Sequence, residues 1–261
     1  MNVFSRAIET HGDPHNPPIV FLHGIRLGGA IWTPHAHELS DEFFVVTPDL
    51  PGHGVLEDLP FDASTLDEFL AYISDNVVLR PPLVVGYSLG GYVAMRYATD
   101  MPEQTSGLVL TGSTTNIVGY RWVLYEAAVR FTGSIPQPLL QTMLTAFFRV
   151  TLPPSIANVV VPFRFNHDVF EQSLRLAGNI RYSDLLARYH KPVLIVNGKY
   201  DVLFRQDERL FARSANARVA VIPRTDHVAP LREPQRFCAL VREFARQLFG
   251  AGSTAGAGRT A

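Results

Sequence analysis

Six short apolar runs constrain this chain more than any other feature of it. Ile19 to Leu22, Phe43 to Thr47, Leu83 to Gly86, Gly107 to Thr111, Val193 to Asn197 and Arg218 to Ile222 are rich in β-branched residues, and most are continuously apolar. Strands that expose one face alternate, whereas strands buried on both faces do not, so these runs predict a parallel sheet. Between them, Leu66 to Val78, Leu89 to Met101, Gln206 to Ser214 and Gln235 to Phe249 carry apolar residues three and four apart, the period of a helix with one buried face. The alternation predicts an α/β fold: a mostly parallel, doubly wound sheet with helices on both faces.

The alternation breaks between 116 and 190. That stretch is rich in Phe, Tyr, Leu and Val and punctuated by prolines; a structureless loop of such length is improbable in a compact domain, so it predicts a helical cap inserted above the sheet. The expected organisation is a core of residues 1–115 and 191–250, a cap over 116–190, and a Gly/Ala/Ser/Thr-rich flexible tail over 251–261.

Composition narrows the partners. Lys plus Arg total 23 against 24 for Asp plus Glu, so no general field exists to gather phosphate backbones or anionic lipid, and nucleic acid is not an expected partner. No segment holds the roughly 18 uncharged apolar residues needed to span a bilayer, and the opening M-N-V-F-S-R-A-I-E-T lacks the basic and apolar regions of a secretory signal. A cytoplasmic protein without a membrane partner is expected, provided the chain begins at its natural start, working as monomer or homodimer. The single cysteine, Cys238, lies in a helical pattern and reads as a small buried hydrophobe.

The segment L-V-V-G-Y-S-L-G-G, Leu83 to Gly91, runs an apolar strand into G-x-S-x-G and then into a helical pattern. This strand-turn-helix context is what a nucleophile elbow requires. It thrusts Ser88 into a cleft at a helix N-terminus, where unpaired N–H groups favour developing negative charge.

With these residues in view, the chain resembles the α/β-hydrolase fold superfamily over nearly all of its length outside the cap and tail. F-L-H-G-I, Phe21 to Ile25, closes a predicted strand, and the resemblance implies that the backbone N–H groups of Ile25 and Leu89 form the oxyanion hole. P-D-L-P-G-H-G, Pro48 to Gly54, matches a signature loop of the family in which Asp49 and His53 brace the turn, and His23 is expected to hold the oxyanion loop. N-G-K-Y-D, ending at Asp201, and T-D-H-V-A-P-L-R-E-P, containing His227, each follow a predicted strand, at the carboxyl edge where open α/β sheets bind ligands. The order Ser, Asp, His is that of the fold. Asp226 is adjacent in sequence to His227 and poorly placed to orient it, Asp207 falls in the next helix, and Glu233 opens the last one. Asp201 is therefore the expected acid.

The resemblance implies acyl transfer through Ser88, with His227 as base and Asp201 as its orienting carboxylate. The expected substrate is a small molecule with a largely apolar acyl group, as an ester, lactone or thioester. C–C bond hydrolases, perhydrolases, cyclising thioesterases and a non-catalytic small-molecule receptor also occur on this fold, whereas epoxide hydrolases and haloalkane dehalogenases carry Asp where this chain has Ser88. No metal is expected: H-E-x-x-H is absent, and His35 and His37, two apart in a predicted helix, do not share a face. Gly28 to Ala30 is no dinucleotide motif, and no organic cofactor is expected. Candidates for substrate contact are Arg26, beside the oxyanion residue, Tyr87, beside the nucleophile, and the cap aromatics, chiefly Trp122 and Tyr125, with Phe131, Phe147, Phe148, Phe163 and Phe165 as cap core or pocket wall.

Overall fold

The computed structural model describes residues 2–164 and 166–250. The expected tail over 251–261 and Phe165 lie outside the described residues.

Seven strands, β1 (Ile8–His11), β2 (Pro18–Leu22), β3 (Phe44–Pro48), β4 (Leu83–Tyr87), β5 (Gly107–Thr111), β6 (Val193–Gly198) and β7 (Arg218–Ile222), form one sheet in the order β1-β3-β2-β4-β5-β6-β7. All neighbours are parallel except β1, which runs antiparallel to β3 at the edge. Strands β2 to β6 are buried along their whole length, which is why their sequences do not alternate. The short β1 went unforeseen because I-E-T-H exposes its central residues and carries one apolar side chain.

The helices are α1 (Thr33–Leu39), α2 (Ala63–Asn76), α3 (Leu89–Asp100), α4 (Tyr120–Gly133), α5 (Gln137–Thr151), α6 (Pro154–Val160), α7 (His167–Ala177), α8 (Tyr182–Leu186), α9 (Glu208–Ser214), α10 (Ala229–Arg232) and α11 (Pro234–Gly250). Helix α2 starts one turn before its apolar period, because the Asp62 carboxylate accepts from the Thr65 N–H at 2.9 Å and caps it. On one face of the sheet Phe69 and Ile73 of α2, Tyr92 and Met95 of α3 and Phe211 of α9 form a core. On the other, Ala36 and Leu39 of α1 pack with Phe237, Val241 and Phe244 of α11. Cys238 is buried in this second core, and burial pushes its thiol up to about 12. None of these helices among the described residues is long and apolar enough to cross a membrane.

Helices α4 to α7 each bring a residue to the cavities at Ser88, the residue that follows β4: Tyr125, Phe148, Val160 and Phe170. Val129, Val169 and Leu174 join the first core and Ile156, Ala157 and Val160 the second, so these helices pack against both cores. Their base is tied by the Asn179 N–H donating to the Ile117 carbonyl at 2.8 Å. Helix α8 lies below that tie: Tyr182 packs edge-on against Tyr92 of α3 at 4.9 Å, which places α8 in the helical layer of the core.

Candidate active site

Ser88 occupies the turn between β4 and α3 with φ 53° and ψ −116°, a conformation that costs a non-glycine residue about 1–3 kcal/mol. The turn is tight enough that only glycine fits beside it. A Cβ on Gly86 would stand 2.5 Å from the Gly90 carbonyl oxygen, and one on Gly90 2.3 Å from that of Leu22. The Ser88 N–H is held by the Thr111 carbonyl at 2.8 Å.

His227, in the loop after β7, places Nε2 3.1 Å from Ser88 Oγ and Nδ1 2.9 Å from Asp201 Oδ2. Asp201, in the loop after β6, is 3% exposed, and its other oxygen accepts from the Phe204 N–H at 3.0 Å. A carboxylate fixed in this way demands a proton on Nδ1, which leaves the Nε2 lone pair facing the serine hydroxyl. The rings of Phe204 and Tyr87 lie 4.3 and 5.3 Å from the imidazole. The competing carboxylates face elsewhere: Asp226 accepts from Arg232 at 3.0 Å and Asp207 from Arg121 at 2.6 Å.

The loop after β2 passes over Ser88, so close that a Cβ on Gly24 would stand 3.2 Å from Ser88 Cβ. Neither the Ile25 nor the Leu89 N–H has an acceptor among the described residues, and both residues line a cavity with Ser88. Two buried side chains hold this loop. His23 donates from Nδ1 to the Gly24 carbonyl at 2.8 Å and accepts at Nε2 from the Leu50 N–H at 2.9 Å. The Asp49 carboxylate accepts from the N–H groups of Gly29 and Val55 at 2.7 and 3.0 Å. Burial drives His23 down to about 4, in keeping with a neutral ring that both donates and accepts.

Two cavities meet at Ser88. One of about 180 Å³ is walled by Arg26, Tyr87, Phe148, Leu152, His227 and Leu231 among others. The second, about 90 Å³, is walled by Leu89, Tyr125, Phe170, Ser173, Leu174 and Phe204. A third, of about 250 Å³, adjoins the first through Ile25, Arg26 and Leu27 and reaches Glu57, Phe163 and Arg164.

The sequence profile of the alpha/beta hydrolase family matches residues 19–240. The chain belongs to the alpha/beta hydrolase family. It is 28% identical over 249 residues to a pimeloyl-[acyl-carrier protein] methyl ester esterase of Nitrosomonas europaea, covering 88% of this chain and 95% of that one. It is 27% identical over 256 residues to the human monoacylglycerol lipase ABHD6, covering 88% and 75%. Among solved structures it is similar to a thermophilic esterase from Thermogutta terrifontis, with a TM-score of 0.77, 22% identity and 93% of each chain covered. An esterase from Exiguobacterium antarcticum gives a TM-score of 0.76 at 19% identity, covering 92% and 94%.

In this hydrolase the structure brings together Ser88, Asp201, His227, Ile25, Leu89, Arg26, Tyr87 and Tyr125, all at or around the two cavities. Trp122 is not brought there. Its ring packs where a Cβ on Gly178 would stand, 1.9 Å from Cζ3, and it lines neither cavity at Ser88; it packs, partly buried, against the first core. Of the other aromatics of that region, Phe148 reaches the larger cavity at Ser88 and Phe163 the third one, while Phe131 and Phe147 are 68% and 58% exposed. Phe170, Ser173 and Phe204 were not foreseen. Phe204 follows a hydrophobic V-L in a loop, and no local pattern announces its place against the imidazole.

Proposed function

We propose that this chain is a serine esterase that cleaves a small, largely apolar carboxylic ester, lactone or thioester through an acyl-enzyme. The observation that carries the reading is the unbroken chain from Asp201 through His227 to Ser88, set beside two N–H groups, of Ile25 and Leu89, that lack acceptors among the described residues.

The Nε2 lone pair of neutral His227 takes the hydroxyl proton as Ser88 Oγ adds to the acyl carbon. The carbonyl oxygen becomes an oxyanion that the Ile25 and Leu89 N–H groups stabilise, and each such donor is worth about 100- to 1,000-fold in kcat. Imidazolium, held and balanced by Asp201, returns the proton to the leaving oxygen or sulfur, and the alcohol or thiol departs. Water then adds to the acyl-enzyme by the same route, releasing the acid and restoring the Ser88 hydroxyl.

The apolar walls of the two cavities at Ser88 support an apolar acyl or alcohol group, and the two named sequence relatives are both ester-cleaving enzymes by name. Initial rates on 4-nitrophenyl esters of increasing chain length, for wild type and Ser88→Ala, test the reading. Turnover should fall by at least about 1,000-fold in the variant; comparable turnover by both proteins would overturn it.

A further inference from the structure

Arg26 stands apart from every other half-buried arginine among the described residues. Arg96, Arg121, Arg205, Arg232 and Arg242 each pair with at least one carboxylate. Arg26 pairs with none. Its Nη2 donates to the Phe163 carbonyl of the cap at 3.3 Å, its guanidinium lies 4.8 Å from the Phe148 ring, and its Nε is buried without an acceptor. A carbonyl and a ring face do not balance a cation withdrawn from water, and an unpaired buried charge is costly. The backbone does not ask for arginine here either: φ is 66°, a left-handed conformation that glycine or asparagine adopts at less cost.

The position of this uncompensated charge gives it a use. Arg26 directly follows Ile25, one of the two residues with an N–H free beside the nucleophile, and it lines both the cavity that holds Ser88 and His227 and the larger one beyond it. The larger cavity adds Arg164 and one carboxylate, Glu57, both exposed, and Glu57 forms no ion pair with Arg26. The Asp49 carboxylate nearby already accepts two backbone N–H groups. A cation that is half desolvated, has donors to spare and opens onto the reacting centre is arranged to receive an anion, and the guanidinium fork suits the two oxygens of a carboxylate or phosphate.

We propose that Arg26 is a specificity determinant that binds an anionic group, carboxylate or phosphate, carried by the ester substrate. The proposal rests on the esterase reading and deepens it: the preferred substrate is apolar at the walls around Ser88 and negatively charged where it meets Arg26. The anion belongs either to the acyl half or to the alcohol half of the ester, and the same chemistry serves both.

Two pairs of esters test the proposal. The 4-nitrophenyl monoester of glutaric acid against 4-nitrophenyl pentanoate puts the charge on the acyl side. 4-Carboxyphenyl butanoate against 4-carbamoylphenyl butanoate puts it on the alcohol side. In one pair, wild type should prefer the anionic member in kcat/KM, and Arg26→Gln should lose about 10- to 100-fold more on that member than on its neutral partner, chiefly through KM. Arg26→Lys, which keeps the charge without the fork, should retain part of the preference. Equal losses on charged and neutral members in both pairs, or a wild type indifferent to charge in both, would overturn the anion site. Ser88-dependent turnover of the neutral esters separates this from the underlying reading: if wild type turns over none of the four esters, the esterase reading fails as well.

Discussion

Asp201 holds His227 with one oxygen, at 2.9 Å from Nδ1, while its other oxygen accepts from the Phe204 N–H at 3.0 Å. Both oxygens are thus committed as acceptors, in a carboxylate that is 3% exposed. An asparagine amide has one acceptor oxygen, so Asp201→Asn must present an NH2 group either to the Phe204 N–H or to the imidazole. Turned toward His227, it selects the tautomer with the proton on Nε2 and removes the base. The expected result is a fall in kcat of about 1,000- to 10,000-fold on a neutral 4-nitrophenyl ester, with the folded state retained by circular dichroism. A loss below about 10-fold would mean that Asp201 does not set the tautomer.

Ser88 carries backbone strain that glycine does not. Its φ of 53° and ψ of −116° fall in a region open to glycine because there is no Cβ to clash. Ser88→Gly should therefore abolish turnover and raise stability by about 1 kcal/mol, the relieved strain exceeding the added freedom of the unfolded chain. Urea unfolding of the two proteins measures this directly; a lower midpoint for Ser88→Gly at equal slope contradicts it.

Three buried histidines make stability fall on the acid side. Burial holds His23 and His35 down to about 4. Burial, reinforced by the neighbouring His23 ring, holds His53 down to about 3. In the unfolded chain each titrates at about 6.5, so below that pH the unfolded state binds more protons and folding loses stability until the folded groups also protonate, His23 and His35 at about 4 and His53 at about 3. The stability these neutral rings contribute is present above about pH 6.5, and each gives up about 2 kcal/mol between pH 7 and pH 5. Urea midpoints should drop over that interval, and His35→Gln, which keeps a donor for the Pro230 carbonyl, should show a smaller drop. Equal midpoints at pH 7 and pH 5 would be incompatible with neutral buried rings.

Two cap-proximal serines should respond oppositely to the same substitution. Ser173 Oγ is buried without a partner among the described residues, in the wall of the smaller cavity. Ser183 Oγ accepts from Asn116 Nδ2 at 3.0 Å and donates to Asp184 at 3.2 Å. Ser173→Ala removes a hydroxyl with no bond to lose and should leave stability unchanged or raise it by up to about 1 kcal/mol. Ser183→Ala strands the Asn116 amide and should cost about 1–3 kcal/mol. Thermal unfolding of both variants decides, and equal destabilisation would show that Ser173 has a partner in solution.

The core was legible because burial on both faces writes itself into a strand as an uninterrupted apolar run, as in Leu83 to Tyr87, and because the elbow motif needs its glycines. The edge strand β1 escaped because an edge buries little. At the opposite edge, β7 exposes Val219 and Val221, so there apolar residues marked a strand without marking a buried face. In the cap, residue type did not reveal direction. Val123, Leu124 and Phe131 of α4 face solvent, while Tyr125 of the same helix and Ser173 of α7 reach the cavity at Ser88. Which face of each cap helix turns inward depends on how the helices sit over the sheet, and no local periodicity encodes that. The place of Arg26 beside Ile25 is legible in the sequence, whereas its lack of a carboxylate partner among the described residues is a property of the folded chain alone.

In the proposed mechanism Ser88 is a nucleophile activated by His227 and Asp201. Intact-protein mass after brief exposure to a fluorophosphonate, followed by peptide mapping, reads that activation out. Wild type should gain one adduct on Ser88, His227→Ala should react far more slowly, and Ser88→Ala should gain none. Folded wild type that remains unlabelled, or that carries its adduct on another residue, would mean that Ser88 is not the activated nucleophile.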